Sequence, residues 1–279
     1  MELYKVRVNG NDIQIADYYG TKGTIIAIHG LTGTHRNMHY YAEKFKGHYR
    51  IIAVDLRGRG NSAATDEETS IFKHAEDIIA LIKELQIENP ILLGHSMGAF
   101  ISAIVASKLA SVKAVILLDG AAKMSDNQRA IVQPSLGRLS KEYESREHYM
   151  AEIKSIYHNL GIAWNETLQQ TVEYEVGPVG GHWENKSNEE RILADFNSFY
   201  TYDPQEVSSR IECPVLLVYA KANIGAMPPL FNLSDYEETQ EYTKHLKTVV
   251  SDCNHYTMVF ENRDDINQYI ETFLSEIEN

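Results

Sequence analysis

Six short apolar runs rich in Val, Ile and Leu recur along the chain with helical patterns between them: Thr24 to Ile28, Arg50 to Val54, Pro90 to Leu93, Val112 to Leu118, Pro214 to Tyr219 and Lys247 to Val250. Their apolar character is continuous rather than alternating, which requires burial on both faces. A parallel sheet sandwiched by helices meets that requirement, because each crossover lays a helix over the strands. The opening segments, Leu3 to Val8 and Asp12 to Tyr18, alternate instead and predict an antiparallel hairpin on the sheet edge, turned by Asn9-Gly10. The helical stretches agree with this frame. Ile71 to Leu85 puts Phe72, Ala75, Ile78, Ile79 and Ile82 on one face, and the last helix does the same with Ile266, Tyr269, Ile270, Phe273, Leu274 and Ile277. The expected fold class is α/β, with a mostly parallel, doubly wound sheet.

The strand-helix alternation breaks once. Between Ala121 and Ile211, about 90 residues carry many aromatics and no convincing buried strand, and a structureless loop of that length is foreign to a compact domain. This stretch reads as an inserted, mostly helical cap over the carboxyl ends of the strands, where open α/β sheets bind ligands. The division is residues 1–121 and 211–279 for the core and 122–210 for the cap, with Gly177-Pro178-Val179-Gly180-Gly181 as an internal loop or hinge. The cap aromatics are expected to form a small core of their own and the ceiling of the pocket.

Several classes of function are disfavoured by composition. The formal net charge of −13, with no compensating Lys/Arg cluster, would repel a phosphate backbone, so no nucleic-acid partner is expected. Neither a secretion signal nor a run of about 18 apolar residues is present, which predicts a cytoplasmic protein without a membrane partner. Cys213 and Cys253 fall about 20 Å apart at roughly 3.3 Å per strand residue, so they are expected to be free, buried thiols. Asp55-Leu56-Arg57-Gly58-Arg59-Gly60 lacks both the ending of a P-loop and the spacing of a dinucleotide site. It reads as a loop braced by Asp55 and Arg57. No cofactor or metal is implied, and the oligomeric state is not written in the sequence.

The residues that carry chemistry begin at Gly94-His95-Ser96-Met97-Gly98, a G-x-S-x-G pentapeptide with an apolar strand before it and the helical pattern Met97 to Leu109 after it. Two glycines leave space for a sharp strand-to-helix turn. Such a turn lifts the Ser96 hydroxyl above the sheet at a helix N-terminus, whose positive end favours developing negative charge. An alcohol needs a base, and of eleven histidines His255 is placed for it, in the loop after the last predicted strand. His95 is expected to pack beneath the turn and His29 to support the neighbouring loop. His35 and His39 are possible pocket residues, and His48, His74, His148, His158, His182 and His245 are expected at the surface or in the cap, with no carboxylates spaced to make a metal site.

In these features the chain resembles the α/β-hydrolase superfamily over nearly its whole length. The resemblance rests on the elbow, on His29-Gly30 after the first buried strand, on Asp55 to Ser62 after the second, and on Asn254-His255-Tyr256 after the last. It implies Ser96 as nucleophile, His255 as general base, and the backbone N–H groups of Leu31 and Met97 as an oxyanion hole. It also marks a departure: where most members place the triad acid, in the stretch Tyr219 to Gly225, this chain has Asn223. A neutral amide orients an imidazole but does not stabilise imidazolium, a loss on the order of 10⁴ in rate. Asp119, at the end of the run Val115 to Leu118, is the expected acid, and some haloalkane dehalogenases and lipases use that alternative position. Asp252, Asn223 and Asp235 are the alternatives.

Dehalogenase chemistry does not carry over, because those enzymes have Asp and then Trp where this chain has Ser96 and Met97. The expected activity is hydrolysis of a carboxylic ester of a small or medium, mainly apolar acyl substrate through an acyl-enzyme. Lactone, thioester, amide or carbon–carbon bond cleavage on the same residues, or a low-turnover ligand sensor, are the alternatives.

Overall fold

The computed structural model describes residues 1–65 and 68–278. Strands β1 (Glu2–Val8) and β2 (Asn11–Tyr18) pair antiparallel around Asn9 and Gly10, both at positive φ as a tight hairpin turn demands. The remaining core strands are β3 (Thr24–Ile28), β4 (Arg50–Val54), β5 (Ile91–His95), β6 (Ala114–Leu118) and, beyond the cap, two more. Helices α1 (His39–Phe45), α2 (Ile71–Glu84) and α3 (Met97–Lys108) connect them.

Residues 122–210 contribute α4 (Asp126–Val132), a 3₁₀ stretch Gln133–Ser140, α5 (Arg146–Asn159), α6 (Glu166–Tyr174), strands β7 (Val176–Val179) and β8 (His182–Asn185), α7 (Glu189–Ser198) and α8 (Pro204–Ser208). The chain then returns to the sheet with β9 (Val215–Ala220), α9 (Glu237–Tyr242), β10 (Leu246–Ser251), the short α10 (Thr257–Phe260) and α11 (Asp264–Glu278). The sheet order is β1-β2-β4-β3-β5-β6-β9-β10, with β2 antiparallel to both neighbours and every later pair parallel. This is the doubly wound α/β-hydrolase arrangement, and it brings the carboxyl ends of β5, β6, β9 and β10 to one edge.

Alternate residues of the continuous apolar strands supply two cores. Ile26, Ile28, Ile52, Val54 and Leu92 pack with α2 and α3, while Ile25, Ala27, Ile51, Ala53 and Leu93 pack with α1 and α11. Helix α3 is buried from Met97 to Ala106. A helix apolar all round must be covered all round, and this one lies between the sheet, α2 and α8.

Two expectations change at residues 122–210. The glycine-rich segment belongs to a two-stranded hairpin, with Gly177, Pro178 and Val179 in β7 and Gly180-Gly181 as its turn into β8. The aromatics do not make a separate core: Phe196, Phe199 and Tyr202 join the α2/α3 side, and Tyr143, Tyr149 and Tyr157 join the α1/α11 side. Among the described residues no helix is long and apolar enough to cross a membrane.

Candidate active site

The turn from β5 into α3 is set by sterics. A Cβ on Gly94 would lie 2.0 Å from the Gly98 carbonyl oxygen, and one on Gly98 would lie 2.1 Å from that of Ile28, so only glycine lets strand, turn and helix approach this closely. Ser96 takes the strain, at φ 54° and ψ −117°. A non-glycine residue in that region costs on the order of 1–3 kcal/mol, and such strain clusters at functional sites. Ser96 is the N-cap residue of α3, a position where serine ordinarily uses its hydroxyl to cap. Here the hydroxyl makes no capping bond and lines a cavity.

His255 lines the same cavity from the loop between β10 and α10. Its Nδ1 donates to Asp119 Oδ2 at 2.7 Å, with both side chains buried. Asp119 follows β6 at φ 46°, and its other oxygen accepts from the Ala220 N–H at 3.2 Å and the Tyr236 hydroxyl at 3.1 Å. The alternatives lie elsewhere. Asp252 is exposed and paired with Lys221, Asn223 is exposed, and Asp235 accepts from Asn232 and Gln128. Below the ring, His95 Nε2 donates to the His255 carbonyl at 2.9 Å. Burial and the neighbouring His255 hold the His95 imidazole well below its usual range, so it is neutral. His95 thus braces His255 and also lines the cavity, rather than only packing beneath the turn.

The N–H groups of Leu31 and Met97 are engaged by no backbone carbonyl or side chain among the described residues. The Leu31 carbonyl accepts from Arg59 Nε at 3.1 Å and Nη2 at 3.0 Å, and the same Nη2 lies 3.9 Å from Met97 Sδ. Arg59 is itself buried and paired with Asp195 of α7 at 2.6 Å. Burial would raise the Asp195 carboxyl, but Arg59 and His74 outweigh it and hold the group far below the usual carboxylate range. His74 is fully buried here, 3.0 Å from Asp195, not at the surface as expected. Its apolar-helix position in α2 gave no sign of a partner in α7.

His29 bridges two loops, with Nδ1 to the Gly30 carbonyl at 2.7 Å and Nε2 accepting from the Leu56 N–H at 3.1 Å. Burial drives its pKa down to about 3. His35 does not reach the pocket, because its Nδ1 and backbone N–H both bond Asp55 Oδ1 at 2.8 and 2.7 Å. His39 is half-buried outside the cavity. Asp55 braces its loop as expected, with Tyr174 Oη and the Asn61 N–H on its second oxygen, while Arg57 pairs with Asp77. On the hairpin, His182 Nε2 lies 2.5 Å from Glu184 and 3.9 Å from Glu142. The pairing of Tyr143 with Trp183 brings Glu142 there, so His182 has two carboxylates beside it and, among the described residues, no second histidine. Both cysteines are free, and burial raises their thiols to about 11, which leaves them unreactive near neutrality.

The cavity over Ser96 measures about 110 Å³. A single water needs roughly 10–15 Å³ by the same measure, so the space suits a substrate on the order of ten heavy atoms. Its walls are largely apolar, including Leu136, Phe196, Phe199, Leu230 and Phe231, but two charged side chains that the sequence did not single out, Arg138 and Glu175, also face it. Glu175 is buried, and burial pushes its carboxyl up more than Arg138 and the Tyr149 hydroxyl pull it down. Neither residue had a signature: Arg138 sits in a 3₁₀ turn, and Glu175 directly follows a helix with only a narrow buried face.

Chemically, a hydroxyl freed from capping, an imidazole held by a buried carboxylate, and two free N–H groups are the parts of acyl transfer. A sequence model of the alpha/beta hydrolase fold matches residues 23–262. A putative esterase/lipase of Haemophilus influenzae is 43% identical over 74 residues, 26% of this chain and 25% of that protein. The chain spans between 25% and 38% of the length of the first curated relatives it matches. A 3-hydroxybutyrate-oligomer hydrolase of Cupriavidus necator is 26% identical over 83% of this chain and 82% of its own. The crystal structure of an E-2-(acetamidomethylene)succinate hydrolase superposes with a TM-score of 0.86 at 20% identity, covering 98% of this chain and 99% of that one. At that identity the likeness is one of fold.

Proposed function

Because the chain belongs to the α/β-hydrolase fold family and resembles an esterase/lipase and an oligomer hydrolase, we propose that it is a serine hydrolase cleaving a carboxylic ester through an acyl-enzyme. Ser96 Oγ attacks the ester carbonyl while His255 Nε2 takes its proton, and Asp119 stabilises the imidazolium that results. The tetrahedral oxyanion accepts from the N–H groups of Leu31 and Met97, each worth roughly 3 kcal/mol of barrier. Collapse breaks the ester C–O bond, and His255 returns the proton to the departing alcohol. Water, deprotonated by His255, then attacks the acyl-Ser96 carbonyl; collapse breaks the acyl–Oγ bond, His255 returns the proton to Ser96 Oγ, and the carboxylic acid leaves. Residues 122–210 act as the cap, since Arg138, Tyr157, Glu175 and Phe196 of that segment close the cavity over Ser96.

The observation that carries this reading is the 2.7 Å bond between His255 and Asp119 at the wall of the cavity that Ser96 also lines. A fluorophosphonate probe tests it directly. Wild-type protein is expected to label and Ser96→Ala is not, and an unlabelled wild type would favour a non-catalytic sensor instead.

A further inference from the structure

Among the described residues Arg138 has no carboxylate within 4.0 Å, whereas Arg57 and Arg59, the buried arginines of the core, each have one. Its Nη1 is shut off from solvent and has no hydrogen-bond partner. Its Nη2 reaches Thr32 Oγ1 at 3.4 Å, and the Tyr157 hydroxyl lies beside the guanidinium. A guanidinium is always charged and carries five donors in a fork matched to a carboxylate. Leaving one arm of such a group desolvated with no carboxylate beside it is costly, and the usual remedy is a bound anion. Arg138 lines the cavity that holds Ser96 and His255, and Thr32 directly follows Leu31, the proposed oxyanion donor. An anion on Arg138 would therefore lie a few atoms from the reacting carbonyl.

We infer that Arg138 is a specificity-determining residue that binds a carboxylate on the substrate, so that the preferred ester is small and anionic, of the half-ester-of-a-short-dicarboxylic-acid class. Tyr157 and Tyr256 line the same cavity, near enough for the charge of Arg138 to act on both hydroxyls, and supply further donors to that carboxylate. Among the described residues Glu175 is the one acidic side chain on the cavity wall. It makes no ion pair with Arg138, its Oε2 accepts from Tyr149 at 2.7 Å, and burial favours its neutral form. The guanidinium is thus left available. The cavity has room on the order of ten heavy atoms, enough for a succinate or glutarate half-ester.

This inference relies on the proposed hydrolase reading for the reaction but not for recognition, so binding is measured without turnover. Calorimetry on Ser96→Ala compares monomethyl succinate with its neutral counterpart dimethyl succinate. The half-ester is expected to bind at least about 10-fold more tightly, the range of a charge-assisted bond, and adding Arg138→Met or Arg138→Gln is expected to abolish the difference. Equal affinities, a preference that survives in the Arg138 variants, or no half-ester binding up to about 10 mM, above the usual KM range, would each overturn it. Arg138→Met is also expected to raise Tm in the absence of ligand, because it removes an unpaired charge, and a fall in Tm would mark the residue as structural. Wild-type hydrolysis of methyl butyrate without a preference for the half-ester would sink this inference and leave the hydrolase reading standing. The half-ester preference in binding without fluorophosphonate labelling would do the reverse.

Discussion

Asp119 has three donors on its two oxygens: the ring of His255 at 2.7 Å, the Ala220 N–H at 3.2 Å and the Tyr236 hydroxyl at 3.1 Å. Two of those bonds are made with no part in catalysis, so they hold the carboxylate in one orientation before any substrate arrives. The consequence is that an amide at this position would keep much of the geometry and lose the charge that stabilises imidazolium. Asp119→Asn is therefore expected to lower kcat on a p-nitrophenyl ester by about 10⁴-fold. Asp252→Asn removes only an exposed pair with Lys221 and is expected to leave kcat within about twofold, since surface pairs of this kind contribute little. Steady-state kinetics of the two variants check the assignment, and the opposite ranking would refute it. The strain at Ser96, Asp119 and Ala121, all at positive φ without being glycine, is stored where the two strand ends meet. There the Ser96 N–H donates to the Leu118 carbonyl at 2.9 Å and ties the nucleophile's turn to the strand that carries the acid.

Elements far apart in the chain meet at Arg59. It leaves the loop after β4, grips the Leu31 carbonyl of the loop after β3, touches Met97 at the start of α3, and pairs with Asp195 of α7. Through this one side chain α7 is connected to both backbone segments proposed to hold the oxyanion. Arg59→Met leaves Asp195 buried without its cation and is expected to cost about 3–5 kcal/mol of stability, while the double variant Arg59→Met/Asp195→Leu is expected to recover part of that loss, because a buried pair is cheaper to replace than to break. Urea unfolding of the singles and the double measures the coupling. No sequence pattern announces this pair, since long-range ionic contacts leave no local period. The strands were legible for the opposite reason: burial on both faces writes itself as unbroken apolar runs, and the observed ends differ from the expected ones by a residue or two. The elbow and Asp119 were legible because both sit at the end of such a run. The cap was read only as helical because its apolar residues are shared between two cores, and the β7–β8 hairpin is too short and too exposed to alternate. Arg138 escaped notice because its importance lies in a partner that is absent, which only three-dimensional structure reveals.

At the scale of the whole molecule, buried neutral histidines set the response to acid. Burial takes His29 down to about 3, and burial together with His255 takes His95 well below its usual range. His74 is lowered as well, by burial against the opposing pull of Asp195. In the unfolded chain each would titrate near 6.5, so below that pH the unfolded state binds protons that the native state does not, and stability falls as pH falls. His29 and His95 alone contribute a loss of about 2–3 kcal/mol between pH 7 and pH 5.5 by this linkage. Asp55 and Asp195 act in the same direction at lower pH. Burial would raise both, but His35 beside the first and Arg59 and His74 beside the second hold them below the usual range, so their stabilisation is lost as pH falls through the unfolded and then the folded value. Glu175 opposes the trend, since its raised carboxyl binds a proton more readily in the native state and gains stability on acidification, but it is one group against several. Urea midpoints measured at pH 7 and pH 5.5 are expected to fall accordingly. In His29→Gln the share of the fall due to that residue, about 1 kcal/mol, is expected to vanish even though the variant starts from a lower stability at pH 7. A midpoint independent of pH across this window would mean that these histidines are protonated in the native state, and the neutral brace beneath His255 would then have to be abandoned.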